Sequence, residues 1–364
     1  MNDELNILKK MIAEIQAETR SLSIMEVCGT HTMAIAKSGI RELMPPNIRL
    51  ISGPGCPVCV TAQGDIDSVI ELAKKENIIL ATFGDMIKVP GTYSSLQQVR
   101  SEGANIQVVY SPTDALSLAK NHPAQEIVFL GIGFETTAPI VGASIKMAKE
   151  SKLANFSVLS WHKLVPPALE VIFSDPGLQV DALLCPGNVS VVIGLKPYEE
   201  LAAKYQKPFV VTGFDNDDIL QGILMILLQL QKNQAIAENQ YSQLVRPEGN
   251  LVAKNILEQV FKPVNARWRG LGEISQSGLE IADEYEEFNA RKKFGVVEME
   301  DKPIKGCACG QILTGKISPH DCPLFATKCT PAQPVGPCMV STEGACAAYY
   351  RYSAWRGRKN YDNR

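Results

Sequence analysis

The sequence has neither a strong excess of one charge nor a long apolar run. Its 36 Lys and Arg residues nearly balance 39 Asp and Glu residues, giving a formal net charge of −3. Dedicated nucleic-acid-binding proteins are usually strongly basic, so this balance argues against that class. The most apolar stretch, Ile219 to Leu230, has 12 residues and is interrupted by Gln221, Gly222 and Gln229. Because a membrane-spanning helix needs about 20 apolar residues, this stretch predicts a buried helix and no membrane partner.

The first 18 residues are charged and amphipathic and lack the apolar core of a signal peptide. We therefore expect a cytoplasmic protein, in which structural disulfides are rare because thiols are kept reduced. Clustered cysteines in that compartment more often bind metal or carry out redox chemistry. Six of the ten cysteines fall within the 40 residues from 307 to 346, and the other four are Cys28, Cys56, Cys59 and Cys185.

Short apolar, β-branched runs alternate with amphipathic helical patterns over the first 260 residues. Such alternation predicts βαβ units, parallel sheets and an α/β fold. We predict two α/β domains, residues 1–122 and 123–262, although a closed eight-stranded barrel would also fit the length. The predicted strands are 23–27, 48–52, 78–83, 106–110, 127–133, 156–161, 181–184 and 209–213.

The pattern changes near residue 262. Long apolar strands are missing from there on, and Pro and Gly are frequent from Pro303 onward. We predict a third, small, loop-rich domain over residues 263–364. A core of that kind needs additional stabilisation, which a metal centre would supply.

Nearly every predicted strand ends in a polar or reactive cluster. Ligands of open parallel α/β sheets bind at the carboxyl ends of the strands, so these clusters predict a site. All four cysteines outside the tail and two of the four histidines lie at such ends. Weaker candidates, which could equally be rim residues or helix caps, are Asp85, Glu135, His162 and Asp215. Cys185 is more typical of a structural cysteine, and His122 of a surface turn.

Cys28 stands just before a predicted helix that begins near Thr30. A helix N-terminus favours the thiolate and lowers the pKa of a cysteine. His31 is close enough in sequence to pair with this thiol. A buried, inert cysteine is the alternative, but the neighbouring Gly, Thr and His residues favour a functional one.

Cys56 and Cys59 form a C-x-x-C motif, whose spacing permits a reversible disulfide or two ligands to one metal. Flanking Gly and Pro residues shape the loop. No second C-x-x-C occurs in the sequence to complete a zinc ribbon. We therefore favour redox or ligand-handling chemistry over half of a zinc site.

The tail carries six cysteines, which are too many for one four-ligand site: Cys307, Cys309, Cys322, Cys329, Cys338 and Cys346. Four thiolates could hold a 4Fe–4S cluster and leave two as a redox pair. Zinc held by four thiolates, or by three with His320, is the structural alternative. The paired C-x-x-C spacing usual for zinc is missing here, so we favour the iron–sulfur cluster.

At these motifs the sequence resembles the HypD family of NiFe-hydrogenase maturation factors. The resemblance spans nearly the whole chain and keeps the order of the family's motifs. The matching stretches are MEVCGTHTMAI, ISGPGCPVCVT, FGDMIKVPG, GFETTAP, LCPGNVSVVIG, DCPLFATKCTP and GPCMVSTEGACAAYY.

The resemblance implies a scaffold on which an iron carrying two cyanides and one carbon monoxide, Fe(CN)2CO, is assembled. It implies two α/β domains facing a cleft and a cluster domain. The implied partners are a small protein, HypC, and a cyanide donor, HypE. Under this resemblance Cys28 is the iron ligand, and Cys56 with Cys59 is a thiol/disulfide pair beside it. The tail then holds a 4Fe–4S cluster in surroundings similar to those in ferredoxin–thioredoxin reductase.

For the cluster we predict Cys322, Cys329, Cys338 and Cys346 as ligands, with Cys307 and Cys309 as redox partners. A set that includes one of the latter two is geometrically equivalent. We expect His31, Asp85, Glu135 and His162 to assist near the iron, and HypC to bind the exposed face near Cys28. Two other hypotheses remain: a stand-alone thiol–disulfide oxidoreductase driven by the cluster, and a zinc-stabilised binding module.

Overall fold

The computed structural model describes residues 2–302 and 304–353. Its strands are β1 (Leu22–Glu26), β2 (Ile48–Ser52), β3 (Ile78–Thr82), β4 (Ile106–Val108), β5 (Glu126–Gly131), β6 (Phe156–Ser160), β7 (His162–Lys163), β8 (Ala182–Pro186), β9 (Phe209–Thr212), β10 (Ala237–Asn239), β11 (Phe261–Trp268) and β12 (Gly272–Ile281).

The helices lie between and after these strands. They are α1 (Asn2–Gln16), α2 (Gly29–Ser38), α3 (Ile40–Leu43), α4 (Pro57–Val60), α5 (Gln63–Ala73), α6 (Gly84–Ile87), α7 (Leu96–Ser101), α8 (Pro112–Asn121), α9 (Ala138–Glu150), α10 (Val165–Ser174), α11 (Gly187–Ile193), α12 (Lys196–Tyr205), α13 (Asn216–Gln231), α14 (Leu251–Val260), α15 (Ala290–Phe294), α16 (Cys309–Leu313), α17 (Pro337–Val340) and α18 (Ala345–Tyr352), with 3-10 turns at Asp283–Phe288 and Pro319–Asp321. Within the described residues, none of the helices is long and apolar enough to cross a membrane.

Two open parallel sheets form the framework, which confirms the predicted α/β class. The first sheet has the order β10-β9-β8-β1-β2, and the second has the order β4-β3-β5-β6. All neighbours in both sheets run parallel. Every residue of β1, β3, β6, β8 and β9 is buried. Strands covered on both faces are nearly continuous apolar runs, which is why all eight predicted strands are present.

The sheets divide the chain differently from the expected boundary at residues 122 and 123. Strands β1 and β2 share a sheet with β8, β9 and β10, which come after residue 180. The second sheet spans the expected boundary, because β3 pairs with both β4 and β5. Alternating strands and helices identify βαβ units, but the pairing of distant strands is a tertiary contact that the alternation does not encode. No closed barrel is formed by these eight strands.

The predicted buried helix is present as α13, which begins at Asn216. Its residues Ile219, Ile223 and Ile226 are fully buried and pack with the apolar residues of the first sheet. Asp215 is the N-cap residue of this helix, and its backbone N–H donates to Asp218 Oδ2 at 3.3 Å. Of the two interpretations of Asp215, the helix cap is the one observed.

An antiparallel hairpin, β11–β12, occupies the start of the region that the sequence predicted to be loop-rich, and the prediction missed this regular structure. The hairpin pairs with β7, where Gly278 lies opposite Lys163. Most of β11 is half-buried or exposed, and it contains Pro263. A strand with so polar a face lacks the apolar run by which buried strands are recognised. Its end is anchored by Trp268, whose indole N–H donates to Ser277 Oγ at 2.8 Å.

The tail does not have a core of its own. Buried Cys309, Cys338 and Cys346 belong to the same apolar core as Met25 and Val27 around β1. Helix α18 also packs directly against α2. The expected third domain is therefore built onto the first sheet, because its few short helices bury their apolar side chains there.

This arrangement predicts that residues 1–122 do not fold alone, since β1 would lose β8 and β3 would lose β5. We expect this fragment to lack a cooperative thermal transition by circular dichroism, while the full chain shows one under the same conditions. Dispersed amide resonances and cooperative melting of the isolated fragment would contradict the observed strand order.

Candidate functional site

The carboxyl ends of strands from both parallel sheets surround one cleft of about 430 Å³. The tail contributes two further lining residues. The lining residues include Cys28, Thr30, Gly55, Asp85, Tyr110, Ser341 and Glu343. A larger depression of about 670 Å³, near Lys149 and Lys292, is lined by no cysteine. The thiol chemistry and the strand ends therefore identify the smaller cleft as the candidate site.

Cys28 lines this cleft and is the N-cap residue of α2, which begins at Gly29. The side chain is only 8% exposed. Burial raises the pKa of its thiol from 9.0 to about 12, and the charges of Glu26 and Glu343 raise it further. The prediction of a lowered pKa was wrong, because desolvation outweighs the helix N-terminus here. Metal binding at Cys28 would displace a proton.

The loop that carries Cys56 lies directly on the backbone of Cys28. A Cβ on Gly55 would approach the Cys28 nitrogen to 2.2 Å, which only glycine avoids. The Gly29 N–H donates to the Gly55 carbonyl at 3.0 Å. Parallel pairing of β1 with β2 brings the two strand ends side by side. The predicted convergence of Cys28 with the C-x-x-C loop is therefore observed.

Cys56 and Cys59 form a disulfide at the start of α4. Cys56 is the N-cap residue of that helix, and its sulfur accepts the Cys59 N–H at 3.2 Å. Cys56 is 4% exposed and Cys59 is 0% exposed. Their neighbours Gly55, Pro57 and Val58 line the cleft, so the disulfide lies beneath its wall.

Glu26 supports Cys28 from inside the first sheet and was missed by sequence reasoning. Its Oε2 accepts the Cys28 N–H at 3.1 Å, and its Oε1 accepts the Thr32 hydroxyl at 2.6 Å. Burial raises the pKa of this carboxyl from 4.5 to about 7. The available signal was a carboxylate ending a strand that is otherwise apolar.

Glu343 is a second missed carboxyl, and it comes from the tail. Its Oε1 accepts the Thr30 hydroxyl at 3.1 Å, next to Cys28. Burial raises its pKa, and the charge of Asp85 adds to the effect. Asp85 itself lines the cleft as predicted, and its Oδ2 accepts the Ser341 hydroxyl at 3.3 Å. The tail thus completes the wall of the cleft and contacts residues that follow β1 of the first sheet and β3 of the second.

His31 does not pair with Cys28 as expected. Its Nε2 lies 2.8 Å from the Gly213 carbonyl and 3.0 Å from Thr212 Oγ1, both at the end of β9. Burial lowers the pKa of His31 from 6.5 to about 4, so the ring is neutral. The ring packs against Phe214. His31 therefore joins α2 to β9 and leaves the thiol without an imidazole from this position.

Glu135 and His162 are both buried, and neither lines the cleft. Glu135 Oε1 accepts the Val165 N–H at 2.9 Å, and burial raises its pKa to about 7. His162 Nδ1 lies 3.1 Å from Ser160 Oγ, and burial lowers its pKa to about 3. Cys185 is fully buried in the core at the end of β8, which fits the structural role expected of it.

The six tail cysteines lie within one region, and five of them are buried. The Cys309 thiol lies 3.0 Å from the Cys338 sulfur, and further thiol–thiol hydrogen bonds link Cys307 to Cys309 and Cys338 to Cys346. For Cys338, the hydrogen bond with Cys309 lowers the pKa, but the bond with Cys346 and burial raise it well above the usual value. Cys309 therefore contacts the predicted ligand set through Cys338, and Cys307 contacts Cys309.

The donor set of the tail fits an iron–sulfur cluster, which thiolates hold. Among residues 2–302 and 304–353, no three His, Cys, Asp or Glu side chains are already arranged around a metal position. Helix α17, which carries Cys338, packs against α4, which carries Cys59. The tail thiols and the disulfide are thus neighbours.

Comparisons with known proteins identify the protein family of this chain. The family model described as "HypD: Hydrogenase formation hypA family" matches residues 4–353. A putative hydrogenase expression/formation protein of Methanocaldococcus jannaschii is 43% identical over 354 residues, which are 97% of this chain and 98% of that protein. The hydrogenase maturation factor HypD of Rhodobacter capsulatus is 44% identical, covering 93% and 91% of the two chains. HypD of Escherichia coli is 43% identical, covering 92% and 90%.

The α/β framework with its thiol-lined cleft is thus that of a hydrogenase maturation factor. The chain belongs to the HypD family.

Glu135→Gln tests the buried carboxyl, because glutamine keeps an acceptor for the Val165 N–H. Below pH 4.5 the carboxyl is protonated in both the folded and the unfolded chain. Between pH 4.5 and about 7 only the unfolded chain releases the proton. The wild type's free energy of unfolding should therefore fall relative to the variant's, by up to about 1.4 kcal/mol per pH unit and roughly 3 kcal/mol in total.

Urea denaturation of both proteins from pH 4 to 8 measures this difference. Parallel stability curves for the wild type and Glu135→Gln would show that the carboxyl is not held in its neutral form.

Proposed function

We propose that this chain is the cytoplasmic scaffold on which the Fe(CN)2CO group is assembled, with Cys28 as the iron ligand. The observation that carries the proposal is the position of Cys28, which lines the cleft and lies against the loop of the Cys56–Cys59 disulfide. A soft thiolate suits low-spin iron with strong-field ligands. A cleft between two sheets also retains small ligands that would otherwise be lost to water.

The site's own residues hold and orient this thiol. Glu26, at the end of β1, accepts hydrogen bonds from Cys28 and Thr32 and so fixes the first turn of α2. Glu343, in the tail, accepts a hydrogen bond from Thr30 in the same turn. Because the thiol is protonated when the cleft is empty, iron binding coincides with release of its proton. The iron is cargo that leaves the scaffold, and the protonated thiol is the state to which Cys28 returns.

Reduction of the Cys56–Cys59 bond takes two electrons and two protons and yields two thiols. A 4Fe–4S cluster held by Cys322, Cys329, Cys338 and Cys346 would supply electrons one at a time. The packing of α17 on α4 supports this role, because it places Cys338 next to the disulfide helix. Cys307 and Cys309 then serve as the additional thiols of this relay.

The proposed partners are a HypC-type protein, whose cysteine shares the iron, and a HypE-type cyanide donor. Both need access to Cys28 through the mouth of the cleft. Tyr110 lines that mouth and is 92% exposed, and aromatic side chains are enriched at protein interfaces. A stand-alone oxidoreductase is less well supported, because a protein disulfide needs access to an exposed sulfur and both sulfurs of the pair are buried.

Replacement of the iron ligand tests the scaffold role. The complex of this chain with its HypC-type partner, purified anaerobically, is expected to show cyanide and carbonyl stretching bands in the infrared. The bands should disappear in Cys28→Ala, because the thiolate ligand is lost. Cys185→Ala is the matched control, since it removes a buried thiol that does not line the cleft. Unchanged bands in Cys28→Ala would overturn the proposal.

Metal analysis tests the tail. The anaerobically reconstituted full chain is expected to contain about four irons with sulfide, as one 4Fe–4S cluster requires. Cys346→Ala should lose most of this iron, whereas Cys307→Ala and Cys185→Ala should keep it. Stoichiometric zinc in place of iron would rule the cluster out. Retention of iron by Cys346→Ala together with its loss from Cys307→Ala would contradict the ligand set.

A further inference from the structure

Arg269, directly after β11, binds the residues that follow the disulfide. Its backbone N–H donates to the Val60 carbonyl at 2.8 Å. Its Nε donates to the Thr61 carbonyl at 3.0 Å, and its Nη1 to Gln63 Oε1 at 2.9 Å. Cys59 precedes Val60 in the chain, so this arginine holds the carboxyl end of the short helix α4.

The same hairpin tip also contacts the tail. Gly270 has a φ of +83°, and a Cβ there would lie 2.5 Å from the Gly310 Cα, next to Cys309. The charge of Arg269 interacts with the sulfurs of Cys307, Cys309 and Cys338. Its Nη2 is buried and has no hydrogen-bond partner among the described residues. The Arg269 guanidinium therefore forms hydrogen bonds to the disulfide loop and interacts through its charge with the tail thiols.

We propose that Arg269 is a positioning residue that fixes the disulfide loop against the tail thiols and makes the Cys56–Cys59 disulfide, and a cluster held by the tail, easier to reduce. Two electrons and two protons convert the disulfide into two thiols, and a fixed cation in poorly solvated surroundings stabilises the reduced pair further by favouring loss of one of these protons. For a cluster held by the tail, the electron that is added is itself a negative charge, which the same cation would stabilise. A guanidinium suits this place because it is always charged, and its planar fork binds several acceptors in a fixed geometry. This inference deepens the redox part of the proposed function and rests on it.

The test compares the reduction potential of the Cys56–Cys59 pair in the wild type and in Arg269→Gln. Iron-free full chains are equilibrated with mixtures of reduced and oxidised dithiothreitol, which gives up two electrons and two protons as its cyclic disulfide forms. Alkylation and peptide mass spectrometry then score Cys56 and Cys59 separately from the tail. In Arg269→Gln we expect the equilibrium constant for reduction to fall roughly tenfold, which is about 30 mV for a two-electron couple.

Two further variants and one control separate the effect of charge from an effect on folding. Arg269→Lys keeps the charge and should restore most of the potential, whereas a merely structural loss would not be rescued in this way. Gln63→Glu leaves Arg269 in place but puts a carboxylate on its Nη1, so the potential should fall as in Arg269→Gln. Arg246→Gln removes one exposed charge from the loop after β10 and should change nothing.

The midpoint potential of the reconstituted tail cluster gives an independent readout and should also become more negative in Arg269→Gln. Equal potentials for the wild type and Arg269→Gln, or a displacement in Arg269→Lys as large as in Arg269→Gln, would overturn the inference. Missing infrared bands in the wild-type complex, together with the expected potential shift, would leave the role of Arg269 standing and reject the scaffold. Intact infrared bands in the wild-type complex, together with equal potentials for the wild type and Arg269→Gln, would reject the role of Arg269 and leave the scaffold standing.

Discussion

The parallel pairing of β1 with β2 is the contact on which the site depends. It brings the ends of two buried strands side by side, so that Cys28 and the loop before Cys56 meet. The approach is backbone to backbone, and Gly55 is the residue that permits it because any Cβ there would collide with Cys28. A change in this register would move the disulfide away from the cleft even if every cysteine were retained.

Burial then decides the charge state of the groups around Cys28. The thiol, Glu26 and Glu135 all have raised pKa values because desolvation penalises their charged forms. His31 is held neutral for the same reason. The buried side chains behind the cleft therefore carry little charge, and a soft, charged metal complex bound at Cys28 would not have to compete with ionised groups from that side. Hydrogen bonds from Cys28 and Thr32 occupy both oxygens of Glu26, whereas Glu135 accepts one from Val165 and its Oε2 has no partner among the described residues.

The hairpin β11–β12 unites parts of the molecule that the two parallel sheets leave separate. It extends from β7, at the end of the second sheet, and its tip reaches the disulfide loop on one side and α16 on the other. Trp268 and Arg269 form this tip, with the indole buried and the guanidinium shared. Because the tail cysteines pack into the core around β1, the proposed cluster and the disulfide belong to one continuous interior.

The sequence by itself determined eight strands of the two parallel sheets and the buried helix α13, since each depends on a local apolar pattern. It also carried the motifs that resemble the HypD family. Only the tertiary structure decided which strands share a sheet, where the His31 ring binds, how burial shifts the Cys28 pKa and where the hairpin tip lies. These features depend on contacts between distant residues and on the loss of water around them, and neither is written in the local pattern of the chain.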